Sequence, residues 1–179
     1  MMAEKTCVKV LVEENGEHGF DSYRVPGIVT ASNGDLLLAY EGREAGGNRR
    51  TLFFRRYQIK DGQPQPAGER ITMVSPKGEE LLHNPLLIAA PEGRVYFFWC
   101  QDYQRLFLRE SSDNGETFGE ERELTSLIDG FRKEWPVTLW AIAPGHGICK
   151  KRWNTDTAAV AELWRECAPP GLLCLPFQR

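Results

Sequence analysis

From residue 6 to residue 129, short apolar runs alternate with clusters of turn residues about every ten positions, the texture of an antiparallel all-β fold. The pattern predicts strands at residues 6–13, 26–30, 36–41, 51–58, 71–74, 86–90, 95–100, 104–109 and 121–124. The segments between several of them carry hairpin chemistry. Ser32-Asn33-Gly34-Asp35, Lys60-Asp61-Gly62 and Pro91-Glu92-Gly93-Arg94 each combine a residue that hydrogen-bonds its own backbone, or fixes φ, with a glycine free to take positive φ. Val95-Tyr96-Phe97-Phe98-Trp99 has no polar position, so it reads as a central strand buried on both faces, which requires packed sheets. A β-sandwich and a β-propeller both produce this rhythm, and periodicity does not separate them.

One turn is more specific. Arg105-Leu106-Phe107-Leu108-Arg109 alternates as a half-buried strand does and leads into Ser111-Ser112-Asp113-Asn114-Gly115-Glu116-Thr117-Phe118. This octet reads S-x-D-x-G-x-T-aromatic. Asp113 and Asn114 can hydrogen-bond nearby backbone, Gly115 can take positive φ, and Thr117 and Phe118 are expected to start the returning strand.

Composition narrows the function classes. The chain has 179 residues, 41% hydrophobic and 26% charged, enough for one domain with a real core. A formal charge of -3, with Lys and Arg scattered among acids, gives no electrostatic case for nucleic acid. The N-terminal residues lack the apolar core of a signal peptide, and no run reaches the length of a membrane span, so a cytoplasmic location is the default expectation. Cys7, Cys100, Cys149, Cys167 and Cys174 are odd in number and lack C-x-x-C spacing, so neither a disulfide framework nor a zinc site is expected.

Four segments together carry a family resemblance. Beside the octet stand Tyr23-Arg24-Val25-Pro26-Gly27-Ile28, then Leu38-Ala39-Tyr40-Glu41-Gly42-Arg43, and finally Arg132-Lys133-Glu134-Trp135 followed by Ala143-Pro144-Gly145-His146-Gly147-Ile148. In type and in order they resemble the exo-α-sialidase (neuraminidase) family, over about residues 20 to 148. The octet (Ser111, Asp113, Gly115, Thr117, Phe118) is similar to that family's Asp box, or BNR repeat, a brace on the outer edge of a propeller blade that carries no catalysis.

The resemblance implies a six-bladed β-propeller that hydrolyses terminal α-linked sialic acids from glycoproteins, glycolipids and oligosaccharides, with retention and with neither cofactor nor metal. Sialic acid carries an obligatory carboxylate, which the planar fork of arginine matches with two parallel charge-assisted hydrogen bonds. Arg24 matches the first of the family's three carboxylate-binding arginines, Arg43 an arginine that contacts the substrate's substituents, and Glu134 a glutamate that orients an arginine. As bare residues the three also read as a surface cation beside a turn, a solvated strand-end charge and a surface partner of Arg132 or Lys133. His83-Asn84-Pro85 and His146 read as loop-forming.

Catalysis in this family uses a tyrosine nucleophile activated by glutamate, with an aspartate as general acid and base. The aspartate belongs to the loop matching Glu44-Ala45-Gly46-Gly47-Asn48-Arg49-Arg50, which contains none: either Glu44, adjoining Arg43, substitutes for it or the acid is absent, and Asn48 can hydrogen-bond but cannot transfer a proton at neutral pH. Neither the Tyr–Glu pair nor the other two carboxylate-binding arginines find a match.

Six blades of about 40 to 50 residues each exceed roughly 240 residues, so this chain holds about three. Residues 1–148 are therefore expected to form the N-terminal part of a propeller and residues 149–179 an irregular or helical tail. Two origins of the tail stay open. It is native, or the reading frame is lost near Cys149 to Lys151. Read one base forward, the codons permit a string with the family's next segments, K-D-G-T-L-I-P and G-G-N-A-H-R-P. Two of its glycines are compelled by the codons of Trp153 and Trp164. The resulting expectation is a sialidase-family fragment without turnover, acting on or binding sialylated glycoconjugates. The alternative is a non-catalytic Asp-box propeller fragment that binds carbohydrate or protein. Open propeller edges further imply self-association.

Overall fold

The computed structural model describes residues 8–46, 48–132 and 141–149. They form two antiparallel meanders. The first comprises β1 (Ser22–Thr30), β2 (Leu36–Arg43), β3 (Arg50–Lys60) and β4 (Gln63–Pro66) in that order, with β5 (Ile71–Val74) also on β3. The second comprises β6 (Leu82–Ala89), β7 (Val95–Gln101), β8 (Arg105–Ser111) and the short β9 (Arg122–Glu123). Helix α1 (Thr125–Arg132) follows, and β10 (Gly145–His146) lies parallel to β6 on its free side. Each meander has the strand order of a propeller blade, and the first strands of the two, β1 and β6, lie side by side. The protein is all-β, a partial propeller with a sialidase-like fold.

Packing follows the alternation in the sequence. Leu37, Ala39, Leu52 and Phe54 on one face of the first blade meet Leu87, Val95, Phe97, Trp99 and Phe107 of the second, all buried. Trp99 stacks on Phe107 with ring centroids 5.4 Å apart. The other face of β7 carries Phe98 and Cys100, which pack with Leu106, Leu108 and Ile142 in a second cluster. Strand β7 is thus buried on both faces, as its unbroken apolar run requires.

The Ser111–Phe118 turn ties the blades together at their outer ends. Ser111 Oγ donates to Asp113 Oδ1 at 2.7 Å and accepts the Gly115 amide at 2.9 Å, while Asp113 accepts the Thr117 amide at 2.9 Å and hydroxyl at 2.5 Å. Burial works against the Asp113 carboxylate, but the Thr117 and Ser111 hydroxyls and nearby amides outweigh it and hold its pKa at about 2. Asn114 accepts from Ser32 of the first blade's turn and gives its amide to Gly93 of the second's. Gly115 is at φ +83°, and a Cβ there would sit 2.7 Å from the Phe54 ring. Phe118 inserts edge-on against Phe54 at 4.9 Å.

Several expectations change. Of the strand expected at residues 6–13, the described residues 8–13 form none, since no strand among the described residues supplies ladder partners. Instead Glu13 anchors the segment to the first blade, accepting from the Tyr40 hydroxyl and from Arg55 Nε at 3.1 Å, with Arg70 Nη1 3.3 Å away. Thr117 and Phe118 do not begin a strand, because their polar and aromatic groups are committed to the turn, and pairing resumes only at Arg122. Strand β4 escaped notice because Gln-Pro-Gln-Pro carries two prolines, which only an edge position tolerates. His83-Asn84-Pro85 belongs to β6 rather than to a loop, and His146 to β10. Helix α1, eight residues with Gly130 among them, is too short for its periodicity to stand out in the sequence. No helix among the described residues is long and apolar enough to cross a membrane. Of the expected tail, residues 150–179 lie outside the described residues.

Trp99 is 1% exposed between two sheets. Trp99→Ala is expected to cost about 3–5 kcal/mol, against at most about 0.5 kcal/mol for Ile59→Ala on the surface. Urea denaturation midpoints of the two variants check this.

Candidate functional site

Arg24 owes its position to an irregularity. The register of β1 on β2 shifts between Arg24 and Gly27, and Val25 within the shift has φ +57°. Left-handed backbone at a β-branched residue costs of order 1–3 kcal/mol and persists only where the surroundings impose it. Here Pro26 follows, and the Gly145 backbone presses on Gly27 so closely that a Cβ would lie 2.2 Å from the Gly145 oxygen. The same device recurs in β6, where Asn84 has φ +57°, Pro85 follows, and the register shifts between His83 and Leu86. Both inner strands therefore kink where they approach each other, and each kink re-aims the residues beside it.

Glu41 stands directly opposite Arg24 in the β1–β2 register and is fully buried. Its Oε2 accepts from Arg43 Nε at 2.9 Å and Nη2 at 2.7 Å, and Arg50 Nη1 lies 3.8 Å away. Its Oε1 accepts the Asn84 amide at 2.9 Å across the gap between blades. Asn84 in turn donates its side-chain amide to the Ile142 carbonyl at 2.9 Å. One carboxylate thus locks Arg43, holds Arg50 close and joins the blades through the kink of β6.

Arg24 differs from its neighbours. It is exposed, and among the described residues it makes no hydrogen bond or ion pair. Arg24, Arg43 and Arg50 set against Glu41 leave this end of the inner strands with excess positive charge. It suits an anion, and Arg24 is the guanidinium whose donors are available.

His83 forms the floor beside this group. It is fully buried, its Nε2 accepts the Tyr103 amide at 3.1 Å, and its ring lies under that of Tyr103 with centroids 3.8 Å apart. Accepting at Nε2 puts the proton of the neutral ring on Nδ1, which has no partner among the described residues. Burial first, then the positive charge of Arg50, pushes the His83 pKa down to about 4, with Asp102 opposing.

The loop from β2 to β3 holds no free acid near Arg43. Glu44 accepts from Arg49 Nε at 3.1 Å, and Arg49 also donates to the carbonyls of Gly78 at 3.1 Å and Pro76 at 3.2 Å. Asn48 is exposed. The structure thus gathers Arg24 and Arg43 at one sheet end and leaves the octet at the opposite end. Glu134 lies outside the described residues. In the sequence Glu41 stands out only as part of a motif, His83-Asn84-Pro85 reads as loop-forming, and Arg50 carries no role. An acid in mid-strand two residues from an arginine, and the repeated X-Pro in the first strand of each blade, were the available signals. No cluster of three metal-ligating side chains occurs among the described residues.

Two outcomes follow. Glu41→Gln leaves Arg43 and Arg50, both partly buried, beside a neutral amide, and is expected to destabilise the fold by about 3 kcal/mol in urea unfolding, the low end for breaking a buried pair. His83 is neutral in the fold down to pH about 4, whereas in the unfolded chain it binds a proton near its ordinary pKa of 6.5. The unfolded state therefore holds more protons between these values, so His83 makes stability fall as pH drops from 6.5 toward 4. Comparing His83→Gln with the unaltered protein across that window should show a shallower loss for the variant.

No protein-family model matches the chain, and no curated protein matches it in sequence. Among solved structures it is similar to "Hadza microbial sialidase Hz136", with a TM-score of 0.60 at 19% identity, over 76% of this chain and 32% of that one. The chain spans about a third of that sialidase's length, and the likeness is one of fold.

Proposed function

We propose that the arginine-lined end of the two inner strands binds the carboxylate of a terminal sialic acid, and that the chain is a sialidase-family glycoside hydrolase fragment that recognises sialylated glycoconjugates without turning them over. One observation carries the reading. Arg24 is exposed, lacks a partner among the described residues and stands beside Arg43 and Arg50, which Glu41 holds in place. A guanidinium left unpaired while its neighbours are neutralised is poised for an outside carboxylate. The sialidase-like fold and the family resemblance of the surrounding segments choose sialic acid among carboxylates.

The absence of turnover rests on a second set of residues. The loop where the family's acid aspartate belongs offers Glu44, committed to Arg49, and Asn48, which cannot move a proton. This favours recognition over hydrolysis. The Ser111–Phe118 turn serves as an Asp box, a brace between blades, far from the sugar. The strand edges that a partial propeller leaves open support association between copies of the chain.

Free sialic acid titrated into the protein and followed by NMR is expected to bind. Arg24→Ala is expected to weaken binding by at least about tenfold, as loss of a charge-assisted pair implies, and Arg24→Lys to recover only part of it. A fluorogenic sialoside is expected to give no release above background. Binding that Arg24→Ala leaves intact would remove the proposed site, and turnover at the rate of an intact sialidase would remove the recognition-only reading.

A further inference from the structure

The hairpin turn between β7 and β8 needs left-handed backbone at both central residues, and it places a bulky residue at one of them. Asp102 and Tyr103 both have φ +55°. Aspartate tolerates the left-handed region, whereas a bulky aromatic there is an outlier that a glycine or asparagine would relieve. The turn is nonetheless pinned on every side. The Asp102 amide donates to the Leu81 carbonyl at 2.9 Å, the Leu81 amide to Asp102 Oδ1 at 2.7 Å, and the Gln104 amide to the Gln101 carbonyl at 3.0 Å. The Tyr103 amide is taken by His83 Nε2, and the Tyr103 ring rests on the buried imidazole at 3.8 Å. Strain held by this many contacts marks a side chain kept in place for use.

Its location says for what. His83, under Tyr103, precedes Asn84, whose amide caps Glu41, and Arg50 beside Glu41 is the cation that depresses His83's basicity. Tyr103 is half-buried, with one ring face seated on His83. It therefore lies at the same end of the two blades as Arg24, which has no partner among the described residues. Arg24 supplies recognition of a carboxylate and nothing for the body of the molecule that bears it. A pyranose presents a face of C–H groups, which packs well on a rigid aromatic ring.

We infer that Tyr103, seated on His83, is the aromatic wall of the arginine site and packs against the C–H face of a carboxylated sugar whose carboxylate Arg24 holds. Tyr103 contacts the ligand directly and His83 is a positioning residue. This rests on the reading of Arg24 as the carboxylate site.

The test is an NMR titration of the full chain with free sialic acid, for the unaltered protein, Tyr103→Ala and Tyr103→Phe. The expected results are about tenfold weaker binding for Tyr103→Ala, less than about a twofold change for Tyr103→Phe, and nuclear Overhauser transfer from the Tyr103 ring protons to the sugar ring protons. The transfer does not depend on any variant folding, and a purely structural Tyr103 would not produce it. If Arg24-dependent binding is found but Tyr103→Ala leaves it unchanged and no transfer is seen, the aromatic wall is overturned while the carboxylate site survives. If the unaltered protein binds no sialic acid, both are overturned.

Discussion

The buried carboxylate of Glu41 is the constraint on which the rest of this arrangement depends. Fully removed from water, it would be prohibitively unfavourable alone, and it is stable because Arg43, Arg50 and the Asn84 amide all converge on it. Those partners belong to different elements. Satisfying one acid therefore fixes the end of β2, the start of β3 and the kink of β6 relative to one another. The apolar contact between the blades, centred on Phe54, Phe97 and Trp99, supplies most of the cohesion but little directional information. Glu41 supplies direction at the inner end, and the Ser111–Phe118 turn supplies it at the outer end through Ser32, Asn114 and Gly93.

Committing the Glu41 carboxylate to two arginines has a consequence for the third. With Glu41 already satisfied by Arg43, Arg50 and Asn84, Arg24 stands across the sheet from an acid that does not bond to it. The kink at Val25 keeps Arg24 at the surface instead of letting it collapse onto Glu41. The backbone strain at Val25 and Tyr103 lies at the same end of the two blades, whereas Asn114 and Gly115 at the outer end accept positive φ easily. Strain at residues that resist it, beside a cation without a partner among the described residues, is what the proposed recognition site rests on.

Much of the fold was legible because alternation and turn chemistry are local. The apolar run at 95–99 announced the doubly buried β7, and the glycine-bearing turns at 32–35 and 91–94 joined their strands as expected. What escaped depended on long-range contacts. Gln63–Pro66 forms a strand only because β3 offers it an edge, and residues 8–13 do not form one because no edge among the described residues is offered. His83-Asn84-Pro85 reads as a turn from its residue types and becomes a kinked strand only against Glu41 and Ile142. At the site, Arg24 and Arg43 could be named from their motifs. Glu41 as organiser and the Tyr103 ring seated on His83 could not, since burial and long-range contact leave no periodic trace in sequence.

The central claim is a division of labour among arginines, with Arg43 bound internally by Glu41 and Arg24 open to a ligand. Side-chain Nε–H signals in NMR report this directly. In the free protein the Arg43 Nε–H is expected to exchange slowly with water and the Arg24 Nε–H rapidly, and added sialic acid is expected to shift and protect Arg24 while leaving Arg43 unmoved. An Arg24 Nε–H already protected without ligand, or one that sialic acid leaves untouched, would contradict the account.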